Sequence, residues 1–304
     1  MAVINTGLLT ASLRGEFLNR FDAVETLYQL LSTRIPSTTA QENYRWLGTV
    51  PQMREWGTGR LAKGLRGESY DVTNNKYEST IEVDRDEIND DQLGQIRIRV
   101  AELAQRAATH KDKMIGSLLE NGASSGYNSY DGVTFFNAAH VSGDSGNQDN
   151  DLAPTMAGAA PTTAEFKAGL ASAIAAMLAF KDDQGEPMAI NQGGLAVIVP
   201  PALLFTALEA VNASVISQTT NVMQGVAQVI PCSYLTASAV TAFLCKTDGI
   251  VRPFIFQDRE PIEFTSLAEG SEEDFNREKF LYGVRARYRM TYGYWQYCVR
   301  MVFT

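Results

Sequence analysis

Between residues 187 and 245 the chain carries one charged side chain, Glu209, in 59 positions. A stretch so poor in charge is hard to solvate as ordinary monomer surface. Either it lies inside the protein, or much of it faces other subunits, because charge is depleted at interface cores. Composition alone leaves both readings open. The rest of the chain is charged in blocks. Residues 78–91 hold seven acids and one Arg, and residues 258–278 hold eight acids and two Arg. Residues 281–304 hold four Arg and no acid.

Several classes are excluded. The 304 residues are about twice a typical domain of roughly 150, and 45% are hydrophobic, enough for a sizeable core. A net charge of −9 argues against coating duplex nucleic acid, which needs a basic excess. The most apolar run, residues 195–211, contains Pro200, Pro201 and Glu209, and is short and broken for a membrane span. The N-terminus has no basic leader and does not read as a signal peptide. Cys232, Cys245 and Cys298 form no CxxC pair, so a zinc ribbon or dense disulfide framework is not expected, and a reducing, cytoplasmic site of folding is.

Hydrophobic spacing predicts an amphipathic helix over 14–31 and a β-hairpin or extended loop over 68–84, around a turn at Asn74-Asn75. Ile96, Val100, Leu103, Ala107, Met114 and Leu118 predict a long helix over 96–120, led by cap residues Asn89 to Asp91 and stopped by Asn121-Gly122. Thr162 and Glu165 form a capping box for a helix that turns Phe166, Leu170, Ile174, Met177 and Leu178 inward. Residues 195–199 read as a buried strand, and Pro200-Pro201 opens a helix through Val211. Strands follow from Ala242, ending in a long one at 280–303 with a bulge marked by Gly293. Residues 35–41 and 142–151 read as linkers, the second as a mobile loop or domain boundary. The fold class expected is α+β.

Catalytic motifs are weak. His140 and Ser145 sit in segments that resemble those of chymotrypsin-like proteases, but only five residues apart in one loop, where no such scaffold can form. Asp84, Asp86, Ile88 and Asp90 faintly resemble a calcium loop, without its Gly and its bidentate Glu. His110 has no partner at metal-ligand spacing. No enzyme activity, metal or cofactor is expected. Arg285, Arg287 and Arg289 share one strand face amid tyrosines. That stripe could bind nucleic acid, but the acid-rich 258–278 and 78–91 make ion pairing, within or between subunits, the better reading.

The segments 44–60 (YRWLGTVPQMREWGTGR), 70–94 (YDVTNNKYESTIEVDRDEINDDQLG), 130–140 (YDGVTFFNAAH), 252–260 (RPFIFQDRE) and 281–296 (LYGVRARYRMTYGYWQ) resemble, in order and spacing, the major head (capsid) subunits of Mu-like tailed phages. The resemblance implies the tailed-phage major capsid fold of the Hong Kong 97 type. It divides the chain into an N-terminal arm (1–60), an extended loop (61–84), a peripheral domain with a spine helix (85–159), an axial domain (160–245) and peripheral return strands (246–304). It implies a structural protein that self-assembles through hexamers and pentamers into an icosahedral shell around phage double-stranded DNA, without sequence-specific binding and with no membrane. Portal, scaffold and maturation protease are the other partners it implies. The location implied is the virion, after assembly in the bacterial cytoplasm. An encapsulin-like compartment with non-viral cargo is the alternative. Candidate subunit-interface residues are Arg285, Arg287 and Arg289 on the strand, with Trp46, Trp56, Arg60, Tyr70 and Tyr77 in the arm and loop. Lys63 carries no activating neighbour in sequence, and no cross-link is expected.

Overall fold

The computed structural model describes residues 6–44, 70–89, 93–216 and 218–304. The chain begins with α1 (Thr6–Ala23), α2 (Tyr28–Leu31), β1 (Ser32–Pro36) and β2 (Gln41–Asn43). Then come β3 (Asp71–Thr73), β4 (Asn75–Asp84), α3 (Arg85–Asn89) and α4 (Leu93–Asn121). The middle holds β5 (Asp151–Leu152), α5 (Thr163–Ala179), β6 (Leu195–Val199), α6 (Leu204–Asn212), β7 (Val215–Ile216), β8 (Thr219–Thr220), β9 (Gln228–Pro231) and β10 (Thr241–Lys246). The end is β11 (Phe254–Leu267), α7 (Glu272–Arg277), β12 (Lys279–Tyr292) and β13 (Cys298–Val302).

Two sheets organise these elements. One has the order β1-β11-β12-β4, the other β5-β13-β10-β6-β9. The α4 helix ties them together. Its 29 residues make a rod of about 44 Å at 1.5 Å per residue. Ile96, Val100 and Leu103 enter a smaller core with Leu13 and Phe17 of α1 and with Phe264, Phe280 and Tyr282 of the β11–β12 hairpin. Ile115 and Leu119, further along the helix, enter the larger core around the five-stranded sheet. The expected long helix is therefore present, and its apolar face is split between two cores.

The capping box also holds. Thr162 Oγ1 accepts from Glu165 N at 3.3 Å, and the Glu165 carboxylate accepts from Thr162 N at 2.8 Å. The strand expected at 195–199 is β6, buried at every position, and a 3₁₀ turn at Pro201–Leu203 leads into α6. The five-stranded sheet draws its partners β5 and β13 from outside 160–245.

Several expectations are corrected. The helix over 14–31 breaks after Ala23, because Asp112 Oδ1 on α4 accepts from Tyr28 N at 2.8 Å and restarts the chain as α2. No hairpin turns at Asn74-Asn75: β3 pairs with β2, and β4 pairs with β12. Asn74 is instead a buried junction. Its Nδ2 donates to Ser37 Oγ at 2.9 Å and Thr39 O at 3.0 Å, and its Oδ1 accepts from Gln257 Nε2 at 2.8 Å. Residues 35–41 are not a loose linker, because Ile35 and Pro36 belong to β1 and Ser37 is buried. Leu178, expected inward, is 40% exposed.

The strand over 280–303 divides in two. Gly293 N donates to Pro253 O at 2.7 Å, and a Cβ there would lie 2.5 Å from Arg252 O. The chain turns at that glycine and passes through a 3₁₀ turn at Trp295–Tyr297 into β13 of the other sheet. Register irregularities lie on β11 instead, between Asp258 and Glu263. The 142–151 segment is tied down and not a mobile loop. His140 and Gln148 exchange backbone hydrogen bonds at 2.9 Å, and the fully buried Asn150 donates to the carbonyls of Phe135, Trp295 and Cys298. Of the residues expected to cap the long helix, Asn89 ends α3, and Asp90 and Asp91 lie outside the described residues.

Candidate assembly surfaces

Strict alternation along β12 sorts its side chains. Val284, Ala286, Tyr288 and Met290 are buried, while Arg285, Arg287 and Arg289 face outward. Arg285 Nη1 donates to Glu260 Oε2 at 2.6 Å, and Arg287 Nη1 lies 3.7 Å from Glu260 Oε1. The acid-rich segment upstream thus supplies the partner, within the chain. With Arg285 47% and Glu260 34% exposed, such a pair contributes about 0–1 kcal/mol.

Arg289 differs from its two neighbours. It stands opposite Gln257, and among the described residues no carboxylate lies within ion-pair distance. It lines a groove of about 490 Å³ with Tyr70, Asp71, Asn75, Asn128 and Thr291. Tyr70 Oη lies 2.6 Å from Thr291 Oγ1, and burial pushes its phenol pKa up. So the structure brings two of the candidate interface residues, Arg289 and Tyr70, to one groove. Tyr77 lies elsewhere, its ring 4.7 Å from both His110 and Tyr288. Trp46, Trp56, Arg60 and Lys63 lie outside the described residues.

Two further surfaces stand out. On the middle segment Phe205, Val215 and Val222 are 80%, 60% and 88% exposed. Near Val215 and Val222 in sequence, Ser214, Gln218, Thr219 and Gln224 are also exposed and neutral, while Glu209 is exposed four residues beyond Phe205 on α6. The interior reading of the charge-poor stretch holds for β6 and β10, whereas the β7–β8 hairpin presents uncharged surface and α6 exposes Glu209, the single charge of the stretch. At the far end of the β11–β12 hairpin, Phe275 on α7 is 89% exposed among Glu272, Glu273 and Glu278.

The histidines do other work. His140 is fully buried, and its ring stacks on Trp295 at 4.0 Å. Nδ1 lies 2.5 Å from Asp131 Oδ2, and Nε2 meets Phe135 O and Asn150 Oδ1 at 3.3 and 3.2 Å. The Ser145 hydroxyl bonds instead to Gly146 O and Ser142 N. Serine and histidine are not brought together as nucleophile and base. His110 Nδ1 lies 2.8 Å from Tyr288 Oη, and burial, then Lys113 and Lys111, push its pKa down. Asp84 Oδ1 accepts from Asp86 N at 2.9 Å, a local turn, and no group of three metal-ligating residues occurs among the described residues. One constellation escaped the reading of the sequence. Lys111 Nζ sits 4.6 Å from the Tyr28 ring and 4.7 Å from the Phe256 ring, a cation–π contact that pins α2 and β11 to α4. Its aromatic partners are far away in sequence, so no local motif marks it.

A long helix spanning two cores, a charged hairpin sheet and a middle region built into a second, five-stranded sheet make up the Hong Kong 97-type fold of tailed-phage capsid subunits. The procapsid subunit of bacteriophage JBD30 aligns over 99% of this chain and 76% of its own, with a TM-score of 0.60 at 24% identity. The mature capsid subunit of bacteriophage PhiM1 aligns over 92% of this chain and 88% of its own, with a TM-score of 0.57 at 11% identity. A virus-like particle from Pyrococcus furiosus gives 0.55 at 11% identity, over 96% and 98%. The sequence matches the Mu-like prophage major head subunit gpT across residues 7–166, 163–235 and 236–302, and the chain belongs to that family. The major capsid protein of Escherichia phage Mu is 30% identical over 132 residues, 43% of each chain. The Mu-like prophage FluMu major head subunit of Haemophilus influenzae is 22% identical over 270 residues, 88% of this chain and 64% of that protein. The chain thus spans less than two thirds of the length of these two relatives.

Proposed function

We propose that the chain is a major capsid subunit that self-assembles into an icosahedral phage head enclosing double-stranded DNA. The observation that carries this is the family match, which runs from residue 7 to residue 302. The fold alone does not separate a phage head from a non-viral compartment, since many shells share it. The family and both relatives are head subunits, so an encapsulin-like compartment is not favoured. In this reading the protein is structural and resides in the virion, after assembly in the bacterial cytoplasm. Its partners are other copies of itself in hexamers and pentamers, with portal, scaffold and maturation protease.

Residues 1–60 act as the arm and 61–84 as the extended loop, of which β4 joins the peripheral sheet. Residues 85–159 and 246–304 build the peripheral domain around α4. Residues 160–245 form the axial domain, its sheet completed by β5 and β13. The exposed Phe205, Val215 and Val222, in a segment whose single charge is Glu209, let identical copies approach with less of the repulsion that a net charge of −9 imposes elsewhere. The groove at Arg289 and Tyr70 accepts an acidic group from a neighbour.

Negative-stain microscopy of the purified protein tests the class. Closed shells or capsomer rings support it, and a persistent monomer counts against it. Charge reversal at Arg285, Arg287 and Arg289 together is expected to impair assembly or folding, so normal shells from that triple variant would sink the interface assignment.

A further inference from the structure

Cys245 on β10 and Cys298 on β13 stand directly opposite each other in the antiparallel ladder. Residues paired in this way have Cα atoms roughly 4.5–5.5 Å apart and project to the same face. Disulfides span Cα separations of roughly 4.4–6.8 Å, so the backbone is already in range. The two Sγ atoms lie 3.3 Å apart, and both side chains are fully buried. A bond of about 2.05 Å needs the sulfurs to close by only about 1.3 Å, within reach of rotation about the two Cα–Cβ bonds. The third cysteine, Cys232, is buried and also free. It lies at the end of β9, on the other side of β6 from β10.

We propose that Cys245 and Cys298 form a latent disulfide site, at which a small peroxide oxidant bolts β10 to β13 after the chain has folded. The chemistry runs in two steps. One thiol attacks the O–O bond of hydrogen peroxide, becoming a sulfenic acid and releasing water. The second thiol attacks that sulfenic sulfur, forms the S–S bond and releases a second water. The two sulfurs lose two electrons in all, and one peroxide is reduced to two waters.

Burial supplies the timing. Removal from water, with the neighbouring Cys245, pushes the Cys298 thiol well up, so little thiolate is present at neutral pH. The pair stays reduced in a reducing cytosol and reacts during rare local openings. A particle that leaves its host loses that protection; this clause alone rests on the capsid reading, and the thiol chemistry does not. The bond would close a loop that contains all of β11, α7 and β12. It would therefore staple the base of the hairpin that carries the arginine stripe. Closing a loop of that length lowers the unfolded population by about a thousandfold in the chain-entropy account.

The test is a peptide map of the folded wild-type protein after hydrogen peroxide, compared with dithiothreitol. Free thiols are blocked with iodoacetamide during denaturation. Expected are a mass loss of two hydrogens, a linked Cys245–Cys298 peptide and an alkylated Cys232. The denaturation midpoint should rise, and reductant should reverse the rise. Sulfinic or sulfonic acid at these positions without a linked peptide, a link through Cys232, or linkage only in denaturant would overturn the proposal. Cys298→Ala should abolish both the linked peptide and the peroxide-dependent rise; a retained rise would also overturn it. Should Cys298→Ala fail to fold, the wild-type map still decides. Monomers that link, or closed shells that do not, separate this proposal from the capsid reading.

Discussion

Along β12, charged and apolar side chains alternate, whereas β6 and β10 are buried at every position. The difference follows from what covers each sheet. Around Arg285 the four-stranded sheet packs one face on α4 and leaves the other to solvent, so the arginine needs only a surface partner, whereas residues 254–257 at the start of β11 are buried at every position. The centre of the five-stranded sheet is covered on both faces, so alternation disappears. The exception there is instructive. Lys246, at the end of β10, is buried, but its ammonium donates to Asn191 Oδ1 at 2.6 Å and lies 2.6 Å from Asp248. A charge is tolerated in that sheet where acceptors enclose it. The peripheral sheet holds its charges by exposure, and the 187–245 segment nearly excludes them.

That contrast can be broken by comparing substitutions in the two sheets. The largest effect is expected at Phe243 of β10, which is 2% exposed and packs on Phe136 with ring centroids 5.4 Å apart. Phe243→Ala should cost about 3–5 kcal/mol in denaturant unfolding. A loss below about 1 kcal/mol would mean that the insert is not close-packed. Next is Asn150, which joins the 131–150 segment to both the turn at Trp295 and β13. Asn150→Ala leaves buried carbonyls and the Asn137 N–H without their partner, and about 1–3 kcal/mol should be lost. Stability indistinguishable from wild type would show that water replaces those bonds. Glu260→Gln, on the peripheral sheet, should change stability by no more than about 1 kcal/mol. Its effect should shrink further as salt is raised. A salt-independent loss of several kcal/mol would reverse the contrast.

What could be read in advance divides along a related line. The α4 helix, the capping box at Thr162 and Glu165, and β6 are written in neighbouring residues, so periodicity and caps reveal them. Ion pairing of the stripe is also legible, because charge segregation places acids just upstream, but the choice of Glu260 within the chain depends on the fold. The errors occur where a distant group decides the local path. Asp112 restarts the chain at Tyr28 from 84 residues away, and Gln257 holds Asn74 from 183 residues away. Gly293 interrupts the alternation in the sequence, but only the approach of the Arg252 carbonyl shows that the chain changes sheets there. The Cys245–Cys298 pair is hidden for the same reason, since spacing does not determine pairing. Of the candidate interface residues, the strand arginines followed from alternation, but the meeting of Arg289 with Tyr70 depended on the fold.

The smallest effect concerns a carboxylate of the separate two-stranded β2–β3 sheet. Glu42 of β2 accepts hydrogen bonds from Thr39 N at 3.1 Å, Thr38 N at 2.8 Å and Ser37 Oγ at 2.9 Å. These bonds, with the Thr39 amide foremost, lower its pKa from 4.5 to about 2. Because the folded value lies below the unfolded one, ionised Glu42 stabilises the fold fully above about pH 4.5. That contribution fades as pH falls towards about 2 and is absent once both states are protonated. The site is close to solvent, which screens the effect, so only a fraction of the ideal linkage should appear. Unfolding curves of wild type and Glu42→Gln should separate slightly at neutral pH and converge as pH approaches about 2. A gap that stays constant from neutral pH down to that point would show that shape and hydrogen-bond count, and not the charge, hold this turn. The β2–β3 pair would then be held, like the charge-poor segment, by uncharged contacts.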